Sequence, residues 1–308
     1  MKRLSVIVIV HDMRRAAPRT LYTLSAAHQR GVTEDDYEVI VVENGSSAPL
    51  DPAEATSFGA NFRYVRLDGH RPSPGPAINA GVAMSDAPAV AIMIDGARMV
   101  TPGAVAWALR ALDAFDRTVI ATIGFHLGEF QPVAVEHGYD EAVEDELLAS
   151  VDWRADGYRL FEIAGLAGSS LSGWFAPLGE SNLVFMPRTV FDELGGYDEA
   201  FVQPGGGLVN LDFYKRAAAL EDVEWLVLLG EATFHQIHGG AATNRPQSRL
   251  GETLKEFQAE YKALRGKTFI RSPRQPTLYG ALPPAAKAWL GRMAEGRRPE
   301  PGRIWGRG

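Results

Sequence analysis

Cysteine is absent from all 308 residues. That excludes disulfides, thiolate zinc sites and thiol nucleophiles, so any metal must rest on Asp, Glu or His. Long apolar runs are missing too. No stretch of about 18 such residues exists to cross a bilayer, and Met1-Lys2-Arg3-Leu4-Ser5 leads into a short β-branched run unlike a cleavable signal peptide. A soluble, cytoplasmic body is the expectation. No Gly-x-Gly-x-x-Gly follows the first apolar run and no Gly-x-x-x-x-Gly-Lys-Ser/Thr occurs, which removes the main support for dinucleotide and P-loop readings. No internal repeat is found. Positive charge is also scarce: the formal net charge is −7, and a globally acidic protein is a poor nucleic-acid binder.

What is present is the composition of a globular chain, 46% hydrophobic and 22% charged, able to bury a sizeable core. The charge is uneven. From Arg271 onward eight basic residues (Arg271, Arg274, Lys287, Arg292, Arg297, Arg298, Arg303 and Arg307) face only Glu295 and Glu300, leaving the remainder near −13. This Pro- and Arg-rich tail, with Trp289 and Trp305, reads first as a solvated tail packed on its own domain. The sharper reading is contact with a protein partner or with the inner face of a membrane. Between Glu136 and Asp156 eight acids face Arg154 alone. That pattern predicts an inserted, solvated segment, with an acceptor-contacting lid as the sharper alternative.

Four apolar, β-branched runs, at 4–10, 37–42, 62–67 and 89–94, read as strands buried on both faces. Helices between them are predicted from Pro18 through Leu21, Leu24 and His28 to a stop at Gly31, and from Gly75-Pro76 through Asn79 and Gly81. A helix near 102–115 and a strand at 118–123 follow. Later come a strand at 183–186, a helix at 187–194, a helix through Asp212 and Arg216, a strand at 225–229 and an amphipathic helix at 250–264. This alternation predicts an α/β fold, with a mainly parallel central sheet and helices on both faces. Each of the first four strands ends in polar residues: His11-Asp12, Glu43-Asn44, Asp68 and Asp95. Ligands of open α/β sheets bind beyond the carboxyl ends of the strands, so the four endings predict one crevice.

Five segments in this order resemble the family 2 glycosyltransferases, enzymes of the GT-A fold that use nucleotide sugars. They are Leu4–Asp12 for the opening strand, Tyr37–Ser47 for the family's "E-I-I-V-V-D-D-G-S", Gly75–Gly81 for "G-x-x-x-A-x-N-x-G", Ile94-Asp95-Gly96-Ala97 for the D-x-D motif, and Leu194–Phe201 for "L-G-G-F-D-E-x-F". The resemblance covers residues 3–240. It implies one GT-A domain over 1–245 with the acidic insert at about 130–172, followed by a helix and basic tail over 246–308. It also implies that Val10 and Glu43 sit beside the nucleotide base, with the Glu43 carboxylate accepting a base N–H. His11 and Asn44 flank them, and Asp95 sits near the ribose and a diphosphate-bound divalent metal. Such an ion stabilises a departing nucleoside diphosphate as a Lewis acid.

Two positions depart from the family pattern. Ala97 replaces the second Asp of D-x-D, so other ligands are needed. His235 and His238, i and i+3 after the last strand and followed by Gly239-Gly240, lie where GT-A enzymes often supply a metal-binding histidine. Imidazole suits Mn²⁺ better than Mg²⁺. The usual general base corresponds to Asn210, which cannot take up a proton at neutral pH. Asp212 is the nearest carboxylate and a candidate base, but it faces nearly the opposite way on a helix and an i+4 pair with Arg216 explains it equally. Glu180 competes for the role. Trp174, with Asn210, is the candidate acceptor contact, although core packing explains a Trp equally well.

The expected function is transfer of a sugar from a UDP- or GDP-linked donor to a saccharide or lipid-linked acceptor, as in polysaccharide biosynthesis, with inversion and with a metal. A catalytically inactive nucleotide-sugar-binding protein is the alternative, motivated by Ala97 and Asn210. A nucleotidyltransferase lacks its glycine-rich start.

Overall fold

The computed structural model describes residues 1–69, 71–239 and 247–294. His70, Gly240 and the tail from residue 295, with Trp305 and four of its arginines, lie outside the described residues. The first half follows the predicted alternation, with α2 and β5 in addition: β1 (Leu4–Val10), α1 (Ala17–Leu24), β2 (Tyr37–Asn44), α2 (Pro52–Thr56), β3 (Phe62–Leu67), α3 (Gly75–Ala83), β4 (Ala89–Met93), β5 (Arg98–Val100), α4 (Ala104–Ala114) and β6 (Thr118–Leu127). Then come α5 (Gln131–Glu136), α6 (Glu141–Ala149), β7 (Ala164–Leu166), β8 (Leu183–Pro187), α7 (Arg188–Glu193), α8 (Val209–Ala217), β9 (Glu224–His235), α9 (Gln247–Arg265), β10 (Thr277–Gly280) and α10 (Lys287–Ala294).

The main path of the sheet runs β10-β9-β6-β8-β4-β1-β2-β3, with β5 added to β9 and β7 to β6. Pairings along it are parallel except where β8 lies antiparallel between β4 and β6. β1 is buried throughout, as its unbroken apolar run requires of a strand covered on both faces. One core cluster holds Ile7, Ile40 and Ile92 with α3, and the other holds Val6, Val8 and Val41 with α1 and α4. Close approach explains Gly81: a Cβ there would lie 2.5 Å from Ile7 Cγ2 and 2.9 Å from Val42 Cγ2, so only glycine lets α3 seat on β1 and β2.

Several expectations change. α1 ends at Ser25, and His28 lies beyond it, buried, with Nε2 3.0 Å from Val100 O. The acidic segment is not simply a solvated insert. Gln131, Tyr139, Glu144, Leu147, Leu148 and Trp153 are all buried. Its acids are sorted by helix face: Glu144 inside against Arg15, Asp145 outside against Arg15 and Arg19. The C-terminal part is no appendage either, as far as residue 294. β10 pairs with β9, and Trp289 is 2% exposed, packed 4.9 Å from the Phe125 ring with its indole N–H donating to Phe161 O. Trp289 is therefore no surface contact for a partner or membrane. No described helix is long and apolar enough to cross a membrane.

Candidate active site

The chain order of the strands reverses direction at β1, between β2 on one side and β4 on the other, and the carboxyl ends beside such a point form the ligand crevice of an α/β sheet. Register places the groups. Val10 lies opposite Glu43, and Met93 opposite Val8, so Ile94-Asp95 leaves the sheet next to His11. Gly96 is forced by this approach: a Cβ would lie 2.8 Å from Val10 Cγ2 and 3.2 Å from Ile9 O.

Asp95, His235 and His238 converge, with one ligand atom from each lying within 4.8 Å of the others. His235, the last residue of β9, is flanked in register by Arg98 of β5 and His126 of β6. Asp95 Oδ1 accepts from Ala97 N–H at 2.9 Å and Oδ2 from Arg98 Nε at 2.9 Å. Burial pushes the Asp95 carboxyl up, but Arg98, His238 and the Ala97 N–H outweigh it and hold it below the usual range. Burial, reinforced by Arg98, drives His235 well below its ordinary value. Burial also lowers His238, with Asp95 opposing and Arg98 assisting. His126 is lowered to about 3 for the same reasons. Both cluster imidazoles are thus neutral, the form that ligates a cation.

The donor set fits a divalent ion. His235 Nδ1 faces the Gln131 Oε1 acceptor at 2.6 Å, so Nδ1 carries the proton and the Nε2 lone pair points into the cluster. That Nε2 lies 3.1 Å from His238 Nε2 and 3.6 Å from Asp95 Oδ2. One carboxylate and two imidazoles form a mixed O/N set that transition metals accept more readily than Mg²⁺.

The residues expected to meet the nucleotide are placed less as expected. Val10 and Glu43 are fully buried. Glu43 accepts from Ser46 Oγ, from Leu50 N–H at 2.9 Å and from Tyr64 O–H at 3.3 Å. Its carboxylate folds the loop after β2 inward, which corrects the expectation that it meets the base. Asn44 donates to Arg71 O at 3.0 Å, and its own carbonyl lies 2.9 Å from His11 Nδ1. His11 and Asp12 are the partly exposed groups at this end, with side chains 38% and 40% accessible. Asp12 adopts φ +52°, and the Ala48 N–H, assisted by Ser47, holds its carboxyl below the usual range.

Of the residues expected to meet the acceptor, Asn210 is buried and saturated. Its Oδ1 accepts from Tyr197 O–H at 3.0 Å, and its Nδ2 donates to Glu180 Oε2 at 2.7 Å and Ser181 O at 3.1 Å. Glu180 is half-buried. Among the described residues its one hydrogen bond is that from Asn210. The β4–β8 ladder extends through Ile94 N–H to Asn182 O, which leaves Glu180 and Asp95 at the same end of adjacent strands. Asp212 faces away, 1% exposed. It accepts from Arg216 Nε at 2.8 Å and from Arg265 Nε and Nη2, both at 2.8 Å. These contacts make Asp212 an anchor between α8 and α9 and not a base. Trp174 is also corrected: it is 0% exposed and packs on Phe161, so it offers no face to a sugar. A cavity of about 470 Å³ opens beside Asn79, Gly195, Gly196, Arg216 and Arg265. None of the cluster residues lines it.

Sequence reasoning missed Arg98, His126, Gln131 and Glu144. Glu144 Oε2 accepts from Ile237 N–H at 2.7 Å, fixing the link between the two histidines. Arg98 lies three residues after Asp95 and reaches His235 through β5–β9 pairing, whereas β6–β9 pairing brings in His126 and helices α5 and α6 bring in Gln131 and Glu144, none of which a local pattern marks.

Residues 5–143 match the family model described as Glycosyl transferase family 2. No curated protein matches the chain. Among solved structures, a mannosyltransferase from Pyrobaculum calidifontis, PcManGT, in complex with GDP-Man and Mn²⁺, is 16% identical; 96% of this chain and 69% of that chain are covered, with a TM-score of 0.50. S. aureus TarS 1-349 in complex with UDP-GlcNAc is 12% identical, with 85% and 67% covered and a TM-score of 0.49. The likeness to the Pyrobaculum protein is one of fold.

Proposed function

We propose that this chain, whose residues 5–143 belong to glycosyl transferase family 2 and whose fold is GT-A, transfers a sugar from a nucleoside-diphosphate donor, UDP- or GDP-linked, to a saccharide or lipid-linked acceptor. The observation that carries this reading is the convergence of Asp95, His235 and His238 at the carboxyl ends of β4 and β9. Bound there, a divalent ion, Mn²⁺ by preference for the imidazoles, would supply Lewis-acid stabilisation to the departing diphosphate. Asp95, His235 and His238 would hold it. With both imidazoles neutral, Asp95 and Arg98 balance each other, so a metal-loaded site is net positive and complements a diphosphate. Glu180 takes the acceptor hydroxyl proton as the sugar moves with inversion, and Asn210 orients that carboxylate through its Nδ2–H.

The test is thermal shift with UDP- and GDP-sugars, with and without Mn²⁺, followed by donor turnover. Donor stabilisation that requires Mn²⁺ and vanishes in Asp95→Ala and His238→Ala supports the site. Absence of a response to every donor and metal overturns it. Metal-dependent donor binding with no hydrolysis or transfer to any acceptor would leave a binding protein instead.

A further inference from the structure

The rotamer and tautomer of a metal-binding imidazole are set by whatever its second nitrogen touches, and such partners typically change metal affinity by about 10- to 100-fold. In this chain the partner comes from the acidic segment. Gln131, the first residue of α5, is fully buried and grips His235 twice. Its Oε1 lies 2.6 Å from Nδ1 of the ring, and its Nε2 donates to the His235 carbonyl at 2.9 Å. The second contact fixes which end of the carboxamide is oxygen, and therefore that the ring is protonated at Nδ1. The Gln131 backbone N–H donates to His126 Nδ1 at 2.8 Å, which locks the start of α5 onto β6 beside the cluster.

We propose that Gln131 is the positioning residue of the metal site: its carboxamide holds His235 as the Nδ1–H tautomer, with Nε2 directed at Asp95 and His238. This rests on the metal reading above. The carboxamide is matched to the task because it is neutral, accepts from the ring and donates to the main chain of the same residue. Leucine can fill the space but cannot accept from Nδ1–H, and methionine offers only a weak thioether acceptor and no donor to the His235 carbonyl, so either would let the ring turn or change tautomer. Glutamate keeps the acceptor while losing the donor to His235 O. Glu144, on α6, steadies the next residues through Ile237 N–H, so α5 and α6 together carry the histidine segment.

The experiment titrates Mn²⁺ alone into the full chain, following free Mn²⁺ by electron paramagnetic resonance. Gln131→Met and Gln131→Glu are compared with wild type, and melting is recorded without metal. Gln131→Met is expected to weaken Mn²⁺ binding by about 10- to 100-fold, and Gln131→Glu to stay within a few-fold of wild type. If folded Gln131→Met binds Mn²⁺ as wild type does, or Gln131→Glu loses as much affinity as Gln131→Met, the positioning role is overturned. Long-range ¹H–¹⁵N spectra of metal-free wild type give a readout independent of any variant's folding: a His235 ring protonated at Nε2 overturns the proposal, and one protonated at Nδ1 supports it. If wild type binds no Mn²⁺, it is the metal reading that fails.

Discussion

Asparagine cannot accept a proton at neutral pH, yet Asn210 stands where the family resemblance leads one to expect the base. Its side chain is consumed by Tyr197, Ser181 and Glu180, an arrangement that suits an orienting group. The carboxylate it orients is half-exposed and sits at the Asp95 end of the sheet. Glu180→Gln should therefore lower kcat by about 10²- to 10⁴-fold, with little change in donor affinity measured by thermal shift. Activity within a few-fold of wild type would remove Glu180 from the reaction. Asp212→Asn should behave in the opposite way. Breaking a buried pair that leaves two guanidinium groups short of their anion costs about 3–5 kcal/mol, so the melting temperature should fall while the folded fraction keeps its turnover. A stable but inactive Asp212→Asn would restore Asp212 as the base.

At the scale of elements, β9 carries both the site and an irregularity that the sequence does not announce. Its register against β6 shifts between Ala121 and Ile123, and within that stretch Glu231 points into the interior. There it accepts from Tyr158 O–H at 2.7 Å and Gly103 N–H at 3.2 Å. Burial raises its carboxyl to about 7. A group raised in this way contributes stability that is complete below its unfolded value near 4.5 and is lost as pH rises through about 7. Glu231→Gln removes that loss. The melting temperature of Glu231→Gln minus that of wild type should grow between pH 5 and pH 8, with a ceiling of about 3 kcal/mol. A difference that is flat with pH would contradict this account. His28, lowered to about 4 by burial, works in the other direction: its contribution is present above about 6.5 and fades as pH falls towards 4.

The described residues form one sheet with a core on each face, and those from Thr277 to Ala294 complete it. Trp289, with Met293 and Ala286, belongs to the core cluster that also contains Phe125, Phe161 and Phe234. Trp289→Ala should cost about 3–5 kcal/mol and lower the melting temperature by on the order of 10 °C. A surface tryptophan would move it by about 0.5 kcal/mol or less, so a calorimetric scan separates the packed residue from an exposed contact.

Local periodicity determined most of the elements. The buried strands β1 to β4, α3, α8 and the body of α9 follow from apolar spacing and from Pro and Gly punctuation, because those signals act within one turn or one pleat. The ordered motifs also determined that Asp95 follows the end of a buried strand, β4, and that an asparagine, Asn210, stands where the resemblance leads one to expect a base. Only the tertiary structure decided what each polar group faces. It turned Glu43 and Trp174 inward, tied Asp212 to Arg216 and Arg265, and brought Glu180 under Asn210. It also placed Gln131, 104 positions before His235, against the His235 ring. The physical reason is range: helix and strand formation is settled between neighbours, whereas a tautomer, an ion pair or a ligand set depends on strands that pair only once the chain has closed.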